Sequence, residues 1–280
     1  MGNMDPTKTS GPPGHRKSSS ESSSPLLTYS SYLKVGELTS LQQPLSTPTA
    51  HDEILFIIIH QVYELWFKEI IFELEALIRF LNGDKLLHSF RLLDRICELF
   101  DVLIHQIKIL ETMTPVEFNR FRSHLKPASG FQSRQFREIE LLSGLDVVQY
   151  QGLVALDPEW KDIVQSFAQR STLRVAWIEL LKRRQLLQTP EREKVIEAVL
   201  RIYESMEDPA LHNLCEYLIR YDELFSLWRF RHVQMVERMI GMKRGTGGSL
   251  GVGYLQTTLK RRFFPELWEA RTRMEGATGY

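Results

Sequence analysis

The sequence predicts an all-α protein built on long central helices. No stretch of useful length alternates apolar and polar residues as a half-buried strand would. Apolar residues recur instead at helical spacing in segment after segment, and Pro, Gly or Asn-Gly falls at the breaks. No unit repeats at solenoid spacing, so the helices are expected to share one core.

Composition narrows the function classes. The chain has 280 residues, 43% hydrophobic and 25% charged, as in ordinary soluble globular proteins. Its 35 basic and 35 acidic residues cancel, which argues against a general nucleic-acid or anionic-membrane surface. The apolar run Ile54–Ile59 stops at His60, far short of the roughly 18 residues a membrane span needs. Cys97 and Cys215 lie in helical patterns without metal-type spacing, so two buried thiols in a reducing compartment are expected. With no apolar signal core at the N-terminus, the expected location is the cytoplasm.

Taken in order, residues 1–25 are rich in Ser, Gly and Pro and are expected to form a disordered tail, leaving 26–280 as a single helical domain. Tyr29, Tyr32 and Leu33 form a short arm ahead of any strong helix. Asp52 is the expected N-cap of a helix running to Leu81, stopped by Asn82-Gly83. That helix is apolar over most of its circumference and should be central. Its polar strip holds Glu53, His60 and Glu64, with Phe56 and Phe67 beside them, and Phe56 lies one turn from His60 on the same face. A polar strip in a buried helix must face a partner or a cavity. His60 is therefore either a core group satisfied by Glu64 one turn on, or part of a site.

A second helix is expected from Asp84 to Met113, ended by Thr114-Pro115, with His88 and His105 as structural or surface groups. Phe118 and Arg122 then share a helical face. Arginine suits bidentate capture of a carboxylate, although a surface salt bridge is its commoner use. Residues Lys126–Gly130 break the helix, and Phe131–Leu142 is helical again. Helices over Glu159–Gln169, Thr172–Leu187, Pro190–Met206 and Pro209–Arg220 read as scaffold, with Pro190 and Pro209 at first-turn positions.

Tyr221–Gly253 begins as a helix and ends as a glycine-rich loop. His232 shares a face with Phe225, Trp228, Met235, Val236 and Met239, a lone imidazole in an apolar stripe. Such a group is either a hydrogen-bonded core histidine or the proximal ligand of a haem iron. The loop carries Gly241, Gly245, Gly247, Gly248, Gly251 and Gly253, with Thr246 and Ser249 between them. Free N–H groups in such a loop can form an anion nest. Lys243 precedes the glycines and a helix precedes both, so a phosphate-binding P-loop is excluded and a small carboxylate or ammonium ligand fits better. Tyr254–Phe263 and Pro265–Met274 complete the helices.

The segments HDEILFIIIHQVYELWFKEI (51–70), FNRFRSHLKPASGFQSRQFR (118–137), LWRFRHVQMVERMIGMKRGTGGSLGVGYLQ (227–256) and FFPELWEART (263–272), with YSSYL (29–33), resemble the tryptophan 2,3-dioxygenase family in content and order. Residues 145–222 match loosely, and the tail before Tyr29 lies outside the resemblance. The resemblance implies a helical haem b dioxygenase that inserts both atoms of dioxygen into L-tryptophan to give N-formylkynurenine. It further implies His232 as proximal iron ligand, and His60 as the distal histidine that hydrogen-bonds the indole N–H. Phe56 and Phe118 would be indole walls and Arg122 the carboxylate partner, with Thr246 at the carboxylate and ammonium ends and Ser129 near haem and dioxygen. Tyr29, Tyr32 and Leu33 would reach in from a neighbouring subunit of a homotetramer. Leu250, where the family often has serine, and Ile59, which varies among relatives, leave room for a paralogue acting on a substituted tryptophan. Two other classes are a non-haem iron site made of His60, Glu64 and His232, and a non-catalytic helical binding protein.

Overall fold

The computed structural model describes residues 26–146, 165–167, 170–243 and 251–274. The chain divides into two compact units, residues 1–41 and 42–280. In the first, α1 (Tyr29–Leu33) and α2 (Val35–Leu38) meet at Lys34, which takes the left-handed conformation at φ 55°. Thr28 and Ser31 form a capping box that starts α1.

In the second unit the helices are α3 (Glu53–Asn82), α4 (Leu86–Leu110), α5 (Pro115–Phe121), α6 (Arg134–Ser143), α7 (Leu173–Arg183), α8 (Arg192–Ser205), α9 (Pro209–Ile240), α10 (Val252–Thr258) and α11 (Pro265–Arg273). Short 3₁₀ turns cover Arg122–Leu125 and Gly130–Gln132, and no strand occurs among the described residues. The all-helical expectation holds. The long helices α3 and α9 both pack on α4, α6 and α7 lie against α3, and α8 pairs with α11. The centre is fully buried Ile70, Leu74 and Leu77 of α3, Ile96 and Phe100 of α4, and Leu214, Leu218 and Phe225 of α9. Each such side chain contributes roughly 1.5–3 kcal/mol of transfer free energy.

Several boundaries differ from the sequence expectation, each for a local reason. Asp52 precedes α3 but makes no side-chain cap; its carboxylate faces His51 Nδ1 at 2.8 Å. Buried Glu53 anchors this end instead, accepting the Leu45 N–H at 2.7 Å, the Ser46 N–H at 3.1 Å and the Ser46 hydroxyl. Burial pushes its carboxyl up, but those hydrogen bonds together hold it below the usual range. The second helix is shorter than expected, because Asp84 is left-handed at φ 56° and Thr114 caps the next helix, accepting the Glu117 N–H at 3.2 Å with Pro115 in its first turn.

Residues 209–240 form one helix rather than two, started by Asp208, whose carboxylate accepts the N–H groups of Ala210 and Leu211, each at 3.1 Å. Pro190 lies ahead of α8, outside its first turn. The expected helix Glu159–Gln169 and the loop segment 244–250, including Thr246, fall wholly or mostly outside the described residues. Cys97 and Cys215 are buried free thiols, both pushed up to about 12 by burial. No helix among the described residues is long and apolar enough to cross a membrane.

Candidate active site

A cavity of about 280 Å³ opens between α3, α5 and the turn after it, the 129–140 segment, α9 and α10. Its size is near the lower end for small-molecule sites. It brings together Phe56, His60, Phe118, Arg122, Ser129 and His232, six residues singled out from sequence, along three separate stretches of chain. Thr246 lies outside the described residues. Tyr29, Tyr32 and Leu33 belong to the first unit, where they are 77%, 71% and 45% exposed.

Helix α3 places Phe56 and His60 on its cavity face, one turn apart, with ring centroids 4.1 Å from each other. Phe118 and Phe121 of α5 close the aromatic corner, at 5.7 and 5.5 Å from Phe56 and edge-on to one another. His60 Nδ1 lies 2.7 Å from the Phe56 carbonyl. A carbonyl only accepts, so Nδ1 carries the proton and, in the neutral ring, Nε2 presents its lone pair. Protein atoms surround the ring, yet it fronts the open cavity and remains accessible. Burial lowers its pKa, partly offset by the Phe56 carbonyl and the charge of Glu64, which favours the neutral form.

Glu64 is not the partner of His60 that its one-turn spacing suggests. Its carboxylate accepts the Ser133 hydroxyl at 2.6 Å and the Gln135 amide at 2.8 Å. Nor does it join a metal cluster, for no group of three His, Cys, Asp or Glu that could hold an ion occurs among the described residues. The non-haem iron arrangement of His60, Glu64 and His232 is therefore not assembled.

His232 projects from α9 into the cavity with its ring stacked on Trp228, centroids 5.1 Å apart and planes within 7°. Neither ring nitrogen makes a hydrogen bond with a described residue. Among the described residues the ring nitrogens thus lack a hydrogen-bond partner, and such an imidazole is open to a ligand. Burial, with smaller contributions from nearby His60 and Arg137, pushes it down to about 4, so it is neutral near pH 7. A neutral imidazole is the form that ligates a metal. Trp228 is itself held edge-on by Tyr63 at 6.1 Å and tilted against Phe136 at 4.8 Å.

Sequence reasoning missed a buried ion cluster in the same wall. Glu140 is shared by Arg137 and Arg229, each at 2.5 Å, with side chains 1%, 7% and 4% exposed. Arg229 also donates to the Arg261 carbonyl at 3.2 Å and lies over the Phe225 ring at 4.4 Å. The Arg137–Glu140 spacing on one helix face was a usable signal. Arg229, one turn before His232, offered none by itself.

Comparison with known proteins shows one family along the chain. The sequence profile described as Tryptophan 2,3-dioxygenase matches residues 13–153 and 156–274, beginning inside the segment read as a tail and running through the region that resembled it loosely. A protein of Herpetosiphon aurantiacus named tryptophan 2,3-dioxygenase is 43% identical over 260 residues, covering 88% of this chain and 97% of the relative. Proteins of the same name from Nocardioides sp. (42% identity, 89% of this chain and 95% of the relative) and Myxococcus xanthus (38%, 88% and 89%) are similar throughout.

Proposed function

The chain belongs to the tryptophan 2,3-dioxygenase family and is an oxidoreductase that oxygenates tryptophan; we propose that it uses haem b to insert both atoms of dioxygen across the pyrrole double bond of L-tryptophan, giving N-formylkynurenine. The state of two imidazoles in one cavity carries the reading: His232 neutral and without a hydrogen-bond partner among the described residues, His60 turned so that Nε2 accepts. His232 suits the single axial ligand of a haem iron in an apolar wall, and the Trp228 stack holds its ring plane. Arg137 and Arg229, sharing one carboxylate, suit a cofactor that brings carboxylates of its own. When bound, the haem supplies the activation of dioxygen, which no side chain of the cavity can perform.

The chain's residues bind and orient. His60 Nε2 accepts the indole N–H, and the Phe56 and Phe118 rings wall the indole. Arg122 pairs with the substrate carboxylate, Thr246 meets the carboxylate and ammonium ends, and Ser129 borders the dioxygen side. Such positioning contributes up to about 7–11 kcal/mol where the pose is well aligned. No strong base is required, because the indole nitrogen keeps its proton until oxygen has attacked the ring.

Tyr29, Tyr32 and Leu33 complete the site of a neighbouring subunit in a homotetramer. Their exposure supports this, as does an exposed apolar stripe of Ile58, Leu65 and Phe72 at two-turn intervals on α3. The two buried free thiols support a reducing, cytoplasmic location. The test is an absorption spectrum of the purified ferrous protein with and without L-tryptophan, followed by turnover under ¹⁸O₂. A Soret band that responds to tryptophan, and a product carrying both labelled atoms, are expected. No Soret band, or a product with one label, overturns the reading.

A further inference from the structure

Glu64 stands one turn beyond His60 and lines the same cavity, yet its carboxylate turns to the 129–135 segment. Oε1 accepts the Ser133 hydroxyl at 2.6 Å. Oε2 accepts the Gln135 amide at 2.8 Å, and the same amide reaches the Glu64 carbonyl at 2.8 Å. Ser133 gives its hydroxyl proton to Glu64 and so remains an acceptor for the Phe136 N–H at 3.2 Å, the cap of α6. The Ser133 N–H donates to the Gly130 carbonyl at 3.2 Å, and the Ser129 N–H to Gln132 Oε1 at 3.0 Å. Hydrogen bonds thus lead from Glu64 through Ser133 to Gly130, while Ser129 and Gln132 are bonded to each other in the same turn; Ser129 and Gly130 both lie at the cavity wall.

We propose that Glu64 is a positioning residue: it fixes the Ser129–Ser133 wall to α3 and so sets the spacing between that wall and His60. Its effect on substrate rests on the tryptophan site proposed above; its effect on the wall does not. The Glu64 charge is also felt at His60, where it opposes the lowering of the pKa by burial.

The test compares the haem-loaded wild type with Glu64→Leu, Glu64→Gln, Gln135→Leu and the Glu64→Leu/Gln135→Leu double variant. Hydrogen exchange of residues 126–137, haem per chain and the Kd for L-tryptophan of the ferrous, oxygen-free protein are measured for each. Glu64→Leu is expected to speed exchange in that segment and weaken tryptophan about tenfold at unchanged haem content, within the coupling range of residues sharing one network. Glu64→Gln still accepts the Ser133 hydroxyl and can donate to a turned Gln135 amide, so it should recover most of the lost affinity. The double variant should be no worse than Glu64→Leu alone. Unchanged exchange in Glu64→Leu, additive losses, or equal losses for Gln and Leu at position 64 would each overturn the proposal. If Glu64→Leu does not fold, Gln135→Leu decides: slower or equal exchange in the segment overturns the clamp. If the wild type binds no tryptophan, the proposed function fails, while the exchange comparison still decides the clamp.

Discussion

Replacing His60 by alanine removes one acceptor and one bulky ring from the cavity, and the two losses have opposite consequences for two substrates. The His60 Nδ1–H is engaged by the Phe56 carbonyl at 2.7 Å, so Nε2 is the atom left to accept the indole N–H in the proposed pose. Without it the buried N–H of tryptophan goes unpaired, at a cost of about 1–3 kcal/mol. That corresponds to a loss in kcat/KM of roughly fivefold to 150-fold. An obligatory general base would cost about 10²–10⁴-fold. N1-methyl-L-tryptophan supplies the control, since it has no N–H to lose and its methyl group would meet the imidazole in the proposed pose. Its turnover should hold or rise in the alanine variant. Steady-state kinetics of both substrates, on protein matched for haem content, give the answer. Complete inactivity with tryptophan in a haem-loaded variant would refute the orienting role, and so would an equal loss for both substrates.

Acid should act through the same atom: below its lowered pKa His60 becomes a double donor, so kcat/KM for tryptophan is expected to fall as pH drops below the ordinary histidine value of about 6.5. The pH profile of His60→Ala should lack that limb; a retained limb would assign it elsewhere. His232→Ala should purify with little haem, because no other imidazole shares the apolar face of Trp228, Met235 and Met239, and a full haem complement would remove it from the ligand role. Arg122→Leu is expected to lower kcat/KM for tryptophan by roughly thirtyfold to several thousandfold, the 2–5 kcal/mol of a broken charge pair. Tryptamine, which lacks the carboxylate, should hardly respond, and parallel losses would show a support role instead. Glu140→Leu leaves two buried guanidinium groups without their carboxylate, so denaturant unfolding should report a loss of about 3–5 kcal/mol; a loss under 1 would mean the cluster is solvated.

What could be read from the chain beforehand divides along the distance over which each interaction acts. Helix α3 was legible almost to the residue because its apolar period and its Gly83 stop are local features. The junction at Arg220 and Tyr221 was misplaced because a change in character from scaffold to site was taken for a break, whereas no Pro or Gly interrupts α9 there. Glu64 shows the limit more clearly. On the sequence, periodicity offers Glu64 only neighbours on its own helix, His60 and Gln61 before it and Lys68 after it. Its partners Ser133 and Gln135 come from another helix start, brought there by the packing of α6 on α3.

The two histidines divide in the same way. For His232 the sequence left two readings open, and each is a statement about what the ring nitrogens touch. Packing bears on both: Trp228 takes the ring face, no described side chain takes the nitrogens, and desolvation keeps them uncharged. For His60 the deciding contact is local, a bond back to the carbonyl one turn earlier, but whether that bond forms depends on which way the ring turns to meet the cavity. The cavity itself is a product of long-range packing among α3, α5, α6, α9 and α10. Residue types and spacings therefore nominate the groups of this site, and the fold assigns each nitrogen and oxygen its partner.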